Sequence, residues 1–145
     1  MALVALPWRT PADGLWPPGP WQLLGTVLIV AAVAFALLAM SHLSTALTPT
    51  PVPRPNGTLR THGAYRIVRH PIYSSLLLAA VGFTLAVGSW WQVAVTVALA
   101  VFFTLKSRWE DAMLAERFGD EWRAYARRTG ALAPRPAKGP GPLAP

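Results

Sequence analysis

The chain has 145 residues, room for one domain, and its composition of 53% hydrophobic and 13% charged residues is unusual for a water-soluble protein. The formal charge of +7 is compatible with nucleic-acid binding, but because the arginines flank long apolar runs we expect a membrane partner and no nucleic acid. The absence of cysteine excludes disulfides, thiolate metal sites and a cysteine nucleophile.

The first predicted elements are an arm and a membrane span. Residues 1–20 contain five prolines and lack the basic start and apolar core of a secretory signal, so we expect an irregular arm. Residues 21–43 are nearly uncharged and long enough to cross a bilayer, which makes them the clearest transmembrane helix. Residues 48–70 begin with a proline-rich stretch that cannot continue the helix, so we expect an exposed loop.

Two further apolar runs, residues 71–88 and 90–106, predict a helical hairpin. With so short a link the two helices must lie antiparallel. Each run is slightly shorter than a full span, and Arg69 and Lys106 at their ends have side chains long enough to reach the headgroups. These runs are the predicted second and third spans.

Charge returns after the third span, and the pattern changes to that of an amphipathic helix. In residues 107–129 apolar side chains recur at helical spacing beside charged ones, and we expect Gly119 to interrupt or bend the helix. Gly130 and the prolines after it predict a disordered tail in residues 130–145. The predicted fold is all-α: an integral membrane protein with about three transmembrane helices, one plus a hairpin, and a C-terminal amphipathic cytoplasmic helix.

The distribution of basic residues predicts the orientation in the membrane. Arg9 alone precedes the first span, and the other basic residues follow either the first or the third span. Three spans place those two groups on the same side, which the positive-inside rule identifies as the cytoplasm. We therefore expect the N-terminus outside, the C-terminus inside, and a bacterial inner membrane as the location.

Side chains that can carry chemistry concentrate at the cytoplasmic end of the hairpin, where folding brings the second and third spans together. Ionisable side chains at membrane depth indicate a function, whereas the same side chains at the boundary are ordinary anchors, so position alone leaves both interpretations open. The side chains are Tyr65, Arg66, Arg69, His70 and Tyr73 at one end, and Lys106, Arg108, Glu110 and Asp111 at the other.

The start of the second span suits an anionic ligand. His70 and Pro71 begin a helix there, and the first N–H groups of a helix have no helical partner and can bind a carboxylate. A structural interpretation is equally natural. In it Pro71 simply starts the helix, Arg69 binds lipid phosphate and Tyr73 belongs to an aromatic belt.

Two adjacent acids follow the third span. Glu110 and Asp111 point about 100° apart on a helix, so only one can face the hairpin while the other meets water or an arginine. We expect Glu110 to face inward, and its spacing from Lys106 also allows an ion pair. No spacing is typical of a metal site, a phosphate loop or a dinucleotide fingerprint, so no metal is expected.

Several motifs occur together and in order over roughly residues 58–134. They are the stretch from Leu59 to Tyr73, which ends in Arg-His-Pro-Ile-Tyr, then Gly82, Gly88-Ser89-Trp90, Glu110-Asp111-Ala112-Met113-Leu114, Phe118-Gly119 and Tyr125. In this combination the chain resembles the isoprenylcysteine carboxyl methyltransferase and phospholipid methyltransferase superfamily.

The resemblance implies an all-helical membrane enzyme that binds S-adenosylmethionine from the cytoplasmic side and methylates a lipid-like or other hydrophobic acceptor. The carboxylate of S-adenosylmethionine would suit His70 and the helix start. Its ammonium and ribose hydroxyls would suit Glu110, and its sulfonium would suit the face of a tyrosine. Lys106, with Arg108 as a second choice, would orient an anionic acceptor. The implied cofactor-binding residues are Thr58, Leu59, Arg60, Tyr65, Arg69, His70, Pro71, Ile72, Tyr73, Glu110 and Asp111.

The sequence leaves the acceptor and two other protein classes open. Prenylcysteine carboxylate, phospholipid amine and thiol all remain as acceptors, and we assign no general base. Asp111 departs from the usual second glutamate, and the single span before the motif reduces the pocket wall, which a homodimer would complete. The other classes are a membrane sterol-type reductase, which shares the Arg-His-Pro-x-Tyr pattern and binds a nicotinamide nucleotide, and a non-enzymatic three-span scaffold.

Overall fold

The computed structural model describes residues 15–16, 19–43 and 58–135. In these ranges the chain forms three α-helices, one 3-10 turn and no β-strand, which confirms the all-α prediction. The predictions for most of the N-terminal arm, for residues 48–57 and for residues 136–145 lie outside the described residues. The elements are α1 (Pro20–Leu43), the 3-10 turn Gly63–Arg66, α2 (Pro71–Val87) and α3 (Trp90–Arg128).

Helices α1 and α2 pack closely through small residues. Gly25, Ala32 and Ala39 are buried at intervals of seven along α1. A Cβ at Gly82 of α2 would lie 2.7 Å from the carbonyl oxygen of Gly25, so the two backbones nearly touch. Small residues that allow such an approach are typical of helix contacts in membranes, where apolar burial alone favours no partner over lipid.

The α1–α2 pair runs antiparallel. Near its N-terminus Gly25 of α1 lies against Ala86, close to the C-terminus of α2. At the other end the ring of His42 lies against Gly63, in the 3-10 turn before α2 begins. Helix α2 therefore follows α1 along most of its length in the reverse direction.

The turn between α2 and α3 closes the predicted hairpin. Gly88 ends α2 in the left-handed conformation, and the hydroxyls of Thr84 and Thr96 lie 2.7 Å apart across the two helices. The indole of Trp16, from the predicted arm, donates a 2.9 Å hydrogen bond to the carbonyl of Leu85. The arm thus contacts the hairpin at the end that lies farthest from the ionisable side chains.

Helix α3 joins the predicted third span to the predicted amphipathic helix. It is one element of 39 residues, with no interruption where the composition changes from apolar to charged after Lys106. The expected interruption at Gly119 is confirmed, because φ is 51° and ψ is −119° there. The apolar and the charged parts of α3 are consequently held in one helix up to that glycine.

Two of the three helices are long and apolar enough to cross a bilayer. They are α1, with a mean hydropathy of 2.7 in its most apolar window, and α3, with 1.3. The 17 residues of α2 span about 26 Å at the rise of an α-helix, somewhat less than the roughly 30 Å of a hydrocarbon core. The predicted second span, and with it the count of three, stays a prediction.

The prediction that the disordered tail begins at residue 130 is wrong. The carbonyls of Gly130 and Ala131 accept hydrogen bonds of 2.8 and 3.1 Å from the amides of Arg69 and His70. The carbonyl of Leu132 accepts one of 2.7 Å from the Ser74 hydroxyl. Loop amides before α2 and carbonyls after α3 lack helical partners, and their pairing removes unpaired polar groups from a partly buried place. We call residues 129–132 the closing segment.

Candidate active site

Six side chains meet where α2 begins and the charged part of α3 passes it. We call them the ionic cluster. All are partly or fully buried, and they come from two helices and the loop that precedes α2. The ionic cluster consists of Arg69, His70, Tyr73, Lys106, Glu110 and Asp111.

His70 lies between two carboxylates. Its Nε2 is 2.9 Å from Oδ1 of Asp111, its Nδ1 is 3.4 Å from Oε2 of Glu110, and the residue is only 8% exposed. Burial by itself would lower the pKa of His70, but the hydrogen bonds to Asp111 and Glu110 outweigh it and raise that pKa. A protonated imidazole donates from both nitrogens, so this geometry suits an imidazolium.

Glu110 faces the hairpin, as the sequence predicts. One oxygen, Oε1, accepts a 2.7 Å hydrogen bond from the Tyr73 hydroxyl and lies 3.1 Å from Nζ of Lys106. Burial by itself would raise the pKa of Glu110, but the hydrogen bonds from His70, Tyr73 and Lys106 outweigh it and lower that pKa to about 2. Glu110 is therefore a carboxylate at any physiological pH.

Asp111 meets an arginine, as its direction on the helix predicts. Nη2 of Arg69 lies 2.7 Å from Oδ2 of Asp111, and Nε of the same guanidinium lies 3.2 Å from that oxygen. Burial by itself would raise the pKa of Asp111, but the hydrogen bonds from His70 and Arg69 outweigh it and lower that pKa. Asp111 therefore holds Arg69 and His70 together.

Arg69 connects the ionic cluster to the end of α3. Its Nη1 donates to the carbonyls of Ala126 and Thr129, and its guanidinium lies 5.6 Å from the ring centre of Trp122. Asp111 lies on the other side of the guanidinium, so protein groups contact it from both sides. This is a structural role, and it replaces the lipid-anchor interpretation of Arg69.

Aromatic rings cover one side of the ionic cluster. Tyr73 stacks on His70 and on Phe103, with ring centres 5.5 and 4.9 Å apart. The Nζ of Lys106 lies 5.8 Å from the Tyr73 ring and 6.0 Å from the Trp109 ring, within the range of cation–π contacts. Lys106 is thus held between Glu110 and two rings.

Tyr65 lies next to the ionic cluster. Its carbonyl accepts a 2.5 Å hydrogen bond from the hydroxyl of Tyr125, and burial raises the pKa of Tyr125 to about 12. Burial also raises the pKa of Tyr65, an effect that Arg60 opposes and Glu110 reinforces. Both charged groups therefore act on the Tyr65 hydroxyl.

The structure brings most of the predicted site residues together. Pro71 is buried at the first position of α2, and Ile72 follows it half-buried. Thr58 and Arg108 are exposed and Leu59 is half-buried, and the described contacts do not include these three in the ionic cluster. The predicted residues that the structure brings together, in or next to the ionic cluster, are Tyr65, Arg69, His70, Tyr73, Lys106, Glu110 and Asp111.

Two structural partners of the site were not predicted. Phe103 could have been found, because it lies seven residues before Glu110 and so on a similar face of α3. The closing segment gave no signal, because it contributes backbone carbonyls and its glycine is typical of a helix end. Gly130 is needed for close approach, since a Cβ there would collide with the carbonyl oxygen of Ala133.

The chain is similar to known proteins. A family model described as phospholipid methyltransferase matches residues 21–121. The cobalt-zinc-cadmium resistance protein CzcN of Cupriavidus metallidurans is 35% identical over 127 residues, which are 85% of this chain and 53% of that protein. The probable protein-S-isoprenylcysteine O-methyltransferase of Oryza sativa subsp. indica is 39% identical over 71 residues, 48% of this chain and 37% of the relative. Methanethiol S-methyltransferase of Pseudomonas deceptionensis is 29% identical over 125 residues, which are 83% of this chain and 45% of that protein.

The family match covers the ionic cluster, the whole of α2, all of α1 but its first residue, and α3 as far as residue 121. The chain spans about half the length, or less, of the curated relatives that it matches. The family match does not favour the reductase or the scaffold interpretation. Together with the two helices that are apolar enough to cross a bilayer, it identifies a membrane protein. The chain belongs to the phospholipid methyltransferase family, within the superfamily that includes the isoprenylcysteine O-methyltransferases.

Proposed function

We propose that this protein transfers a methyl group from S-adenosylmethionine to a hydrophobic acceptor at the cytoplasmic face of a bacterial inner membrane. The observation that carries the proposal is Glu110. It is an ionised, half-buried carboxylate at the open end of a membrane hairpin, surrounded by tyrosine and lysine. Family membership supports the reaction class.

The residues present fit the proposed cofactor. A carboxylate accepts about four hydrogen bonds, and Glu110 receives contacts from Tyr73, Lys106 and His70, which leaves room for an ammonium or a ribose hydroxyl. The ring of Tyr65 suits a sulfonium, whereas the ring of Tyr73 is already stacked on His70 and Phe103. S-adenosylmethionine, when bound, supplies an activated methyl group.

His70 has a different role in this proposal from the one that the resemblance implies. Both of its ring nitrogens face carboxylates of the protein, so the ring is not free to bind the cofactor carboxylate. We assign that group to the first N–H groups of α2, at Ile72 and Tyr73, which have no helical partner. His70 is then a positioning residue that fixes Glu110.

The remaining residues hold and enclose the reactants. Because methyl transfer needs an aligned acceptor more than it needs a general base, most of the rate comes from orientation and from exclusion of water. Phe103 and Tyr73 form an apolar wall beside Glu110. Lys106 keeps its proposed role beside an anionic acceptor, because its side chain is 30% exposed next to that wall. Arg108 is exposed, so we propose Lys106 alone for the orientation of the acceptor.

The acceptor class follows from the absence of a free base. Among the described residues of the ionic cluster the one histidine has protein carboxylates at both ring nitrogens, so it is not placed to remove a proton from an ammonium. A carboxylate is already ionised at neutral pH and needs no base. We therefore propose a prenylcysteine-type carboxylate, in line with the name of the Oryza relative, and a thiol as the second class to test.

Replacement of Glu110 tests the cofactor site. Glu110→Gln keeps the shape of the side chain and removes its charge, and hydrogen bonds to charged groups contribute about 1.5–3 kcal/mol. We expect S-adenosylmethionine to bind about tenfold or more weakly to the detergent-purified variant, as measured by isothermal titration calorimetry. The matched control is Glu116→Gln, which removes the same charge from an exposed position on α3.

Equal binding by the two variants would contradict the site assignment. Absence of binding by the wild-type protein would contradict the proposed cofactor itself. The acceptor is then identified by incubating the protein with methyl-labelled cofactor and either a farnesylcysteine analogue, phosphatidylethanolamine or an alkyl thiol. Labelling of phosphatidylethanolamine alone would overturn the argument that no amine can be methylated.

A further inference from the structure

A cleft of about 390 Å³ lies at the C-terminal end of α3. We call it the arginine cleft. It shares Arg69 with the ionic cluster, whereas Tyr73, Lys106 and Glu110, which carry the proposed methyl transfer, do not line it. Its lining residues are Arg69, Trp122, Arg123, Ala126, Arg127 and Arg135.

The positive charge of the arginine cleft is only partly neutralised. Arg69 pairs with Asp111, and Arg123 pairs at 2.9 Å with Asp120, whose side chain is 97% exposed, so the second pair is weak. Arg127 and Arg135 make no ion pair with any acid in the described ranges. Two guanidinium charges therefore face the cleft without an acidic partner.

The hydrogen bonds that cap the C-terminal end of α3 do not use all of the arginine N–H groups in the cleft. Nη1 of Arg135 donates to the carbonyls of Ala126 and Arg127, at 2.9 and 3.1 Å, which stabilises the negative end of the helix dipole. Both of these bonds involve the same atom. The Nε and Nη2 groups of Arg135 and the guanidinium of Arg127 can still bind a ligand.

Trp122 contributes a second observation that points to an acceptor. Its indole Nε1 is buried, and no hydrogen-bond acceptor lies within reach in the described structure. Buried N–H groups without an acceptor are unfavourable and rare in folded proteins. Trp122 lines the arginine cleft, so a bound anion that displaces the atoms covering Nε1 would give this group a partner.

We propose that the arginine cleft binds a phosphate group. The planar fork of an arginine matches the oxygens of a phosphate, which can accept from several guanidiniums and from an indole N–H at the same time. The cleft is built on the charged part of α3, beyond its apolar part. The phosphate can therefore belong to an anionic lipid headgroup or to a phosphate ester in the cytoplasm.

Thermal unfolding of the full-length protein tests this proposal and separates the two sources. One arm compares inorganic phosphate with chloride at equal ionic strength in detergent. The other compares nanodiscs of phosphatidylcholine with and without phosphatidic acid. The test variant is Arg123→Gln with Arg127→Gln, and its matched control is Arg66→Gln with Arg128→Gln, which removes the same charge from exposed arginines outside the cleft.

We expect wild type and the control to be stabilised by the phosphate ligand, and the test variant to bind it at least about tenfold more weakly. Stabilisation by inorganic phosphate supports a soluble ester, and stabilisation by phosphatidic acid alone supports a lipid. Failure of both ligands to stabilise wild type overturns the proposal, as does an equal loss in the two double variants. These readouts do not depend on methyl transfer.

Trp122→Phe provides an independent check. It removes the indole N–H and keeps an aromatic ring beside Arg69. We expect the variant without ligand to unfold at an equal or higher temperature, because an unpaired buried donor is gone, and its response to phosphate to be smaller. A full response to phosphate in this variant would count against the proposed geometry.

Discussion

The charge of His70 determines how firmly the two carboxylates of the ionic cluster are held. The folded protein binds the proton of His70 more tightly than the unfolded chain does, because its pKa is raised above the ordinary value of 6.5. This stabilisation is complete below pH 6.5 and is lost as pH rises through the raised pKa. Glu110 and Asp111 act in the opposite sense, because folding lowers their pKa values.

The pH dependence of stability follows from these signs. The contributions of the carboxylates are present above their ordinary pKa values of 4.5 and 3.8, and that of Glu110 is lost toward pH 2. The ionic cluster therefore stabilises the protein most between about pH 4.5 and 6.5. We expect the unfolding temperature of wild type to fall as pH rises above 6.5, and His70→Gln to show a flatter profile over that range.

The control for this prediction is His62→Gln, at an exposed position outside the ionic cluster, which should keep the wild-type profile. Thermal unfolding in detergent, followed by circular dichroism, provides the measurement. The series stops well below pH 10, the ordinary pKa of tyrosine, so that Tyr65 does not contribute. A profile of His70→Gln as steep as that of wild type would contradict the proposed charge state.

At the scale of the elements, the closest packing lies between α1 and α2. Gly25→Val places a branched side chain against the backbone of α2 at Gly82 and Ala86, so the helices must separate. We expect a loss of about 1–3 kcal/mol, seen as a lower unfolding temperature. Ala31→Val, at an exposed position of the same helix, is the control and should change stability little. Equal effects would mean that the contact between α1 and α2 contributes little to stability.

The sequence predicts the helix ends well where prolines and glycines mark them. The predicted bounds of the first two spans differ by one residue from α1 and α2, because Pro20, Pro71 and Gly88 stand at their ends. The continuity of α3 could not be predicted from composition. The change from apolar to charged side chains after Lys106 marks a change of solvent around the helix, and the backbone hydrogen bonds do not depend on it.

Which side chains form the site was easier to predict than their rotamers and the backbone contacts around them. A hairpin brings its two open ends together, so Tyr73 and Glu110 had to be neighbours, and the structure confirms this with a hydrogen bond. The engagement of both nitrogens of His70 depends on side-chain rotamers, which a sequence does not reveal. The closing segment acts through backbone carbonyls, for which no residue type is diagnostic.

For the whole molecule, the open question of the second span has a direct test. Helix α2 lies antiparallel along α1, which supports a crossing in the opposite direction despite its shorter length. With the predicted orientation, a crossing by α2 would place Ser89, at the hairpin turn, outside the cell and Arg66, before α2, in the cytoplasm. The chain contains no cysteine, so single cysteines can be labelled without interference.

We expect a membrane-impermeant maleimide to label Ser89→Cys in intact spheroplasts, and Arg66→Cys only after the membrane is permeabilised. The unchanged protein, which cannot react, is the control for background. Labelling of both variants from the same side would show that α2 does not cross the membrane. Reversed labelling would keep the crossing of α2 and contradict the orientation.

The closing segment also fixes when the site can form during synthesis. The amides of Arg69 and His70 receive their partners from Gly130 and Ala131, about sixty positions later in the chain. All three helices are therefore synthesised before the carbonyls that pair with the loop before α2. A nascent chain whose helices are complete still lacks the finished ionic cluster, which closes only once the last turn of α3 and the residues after it have emerged.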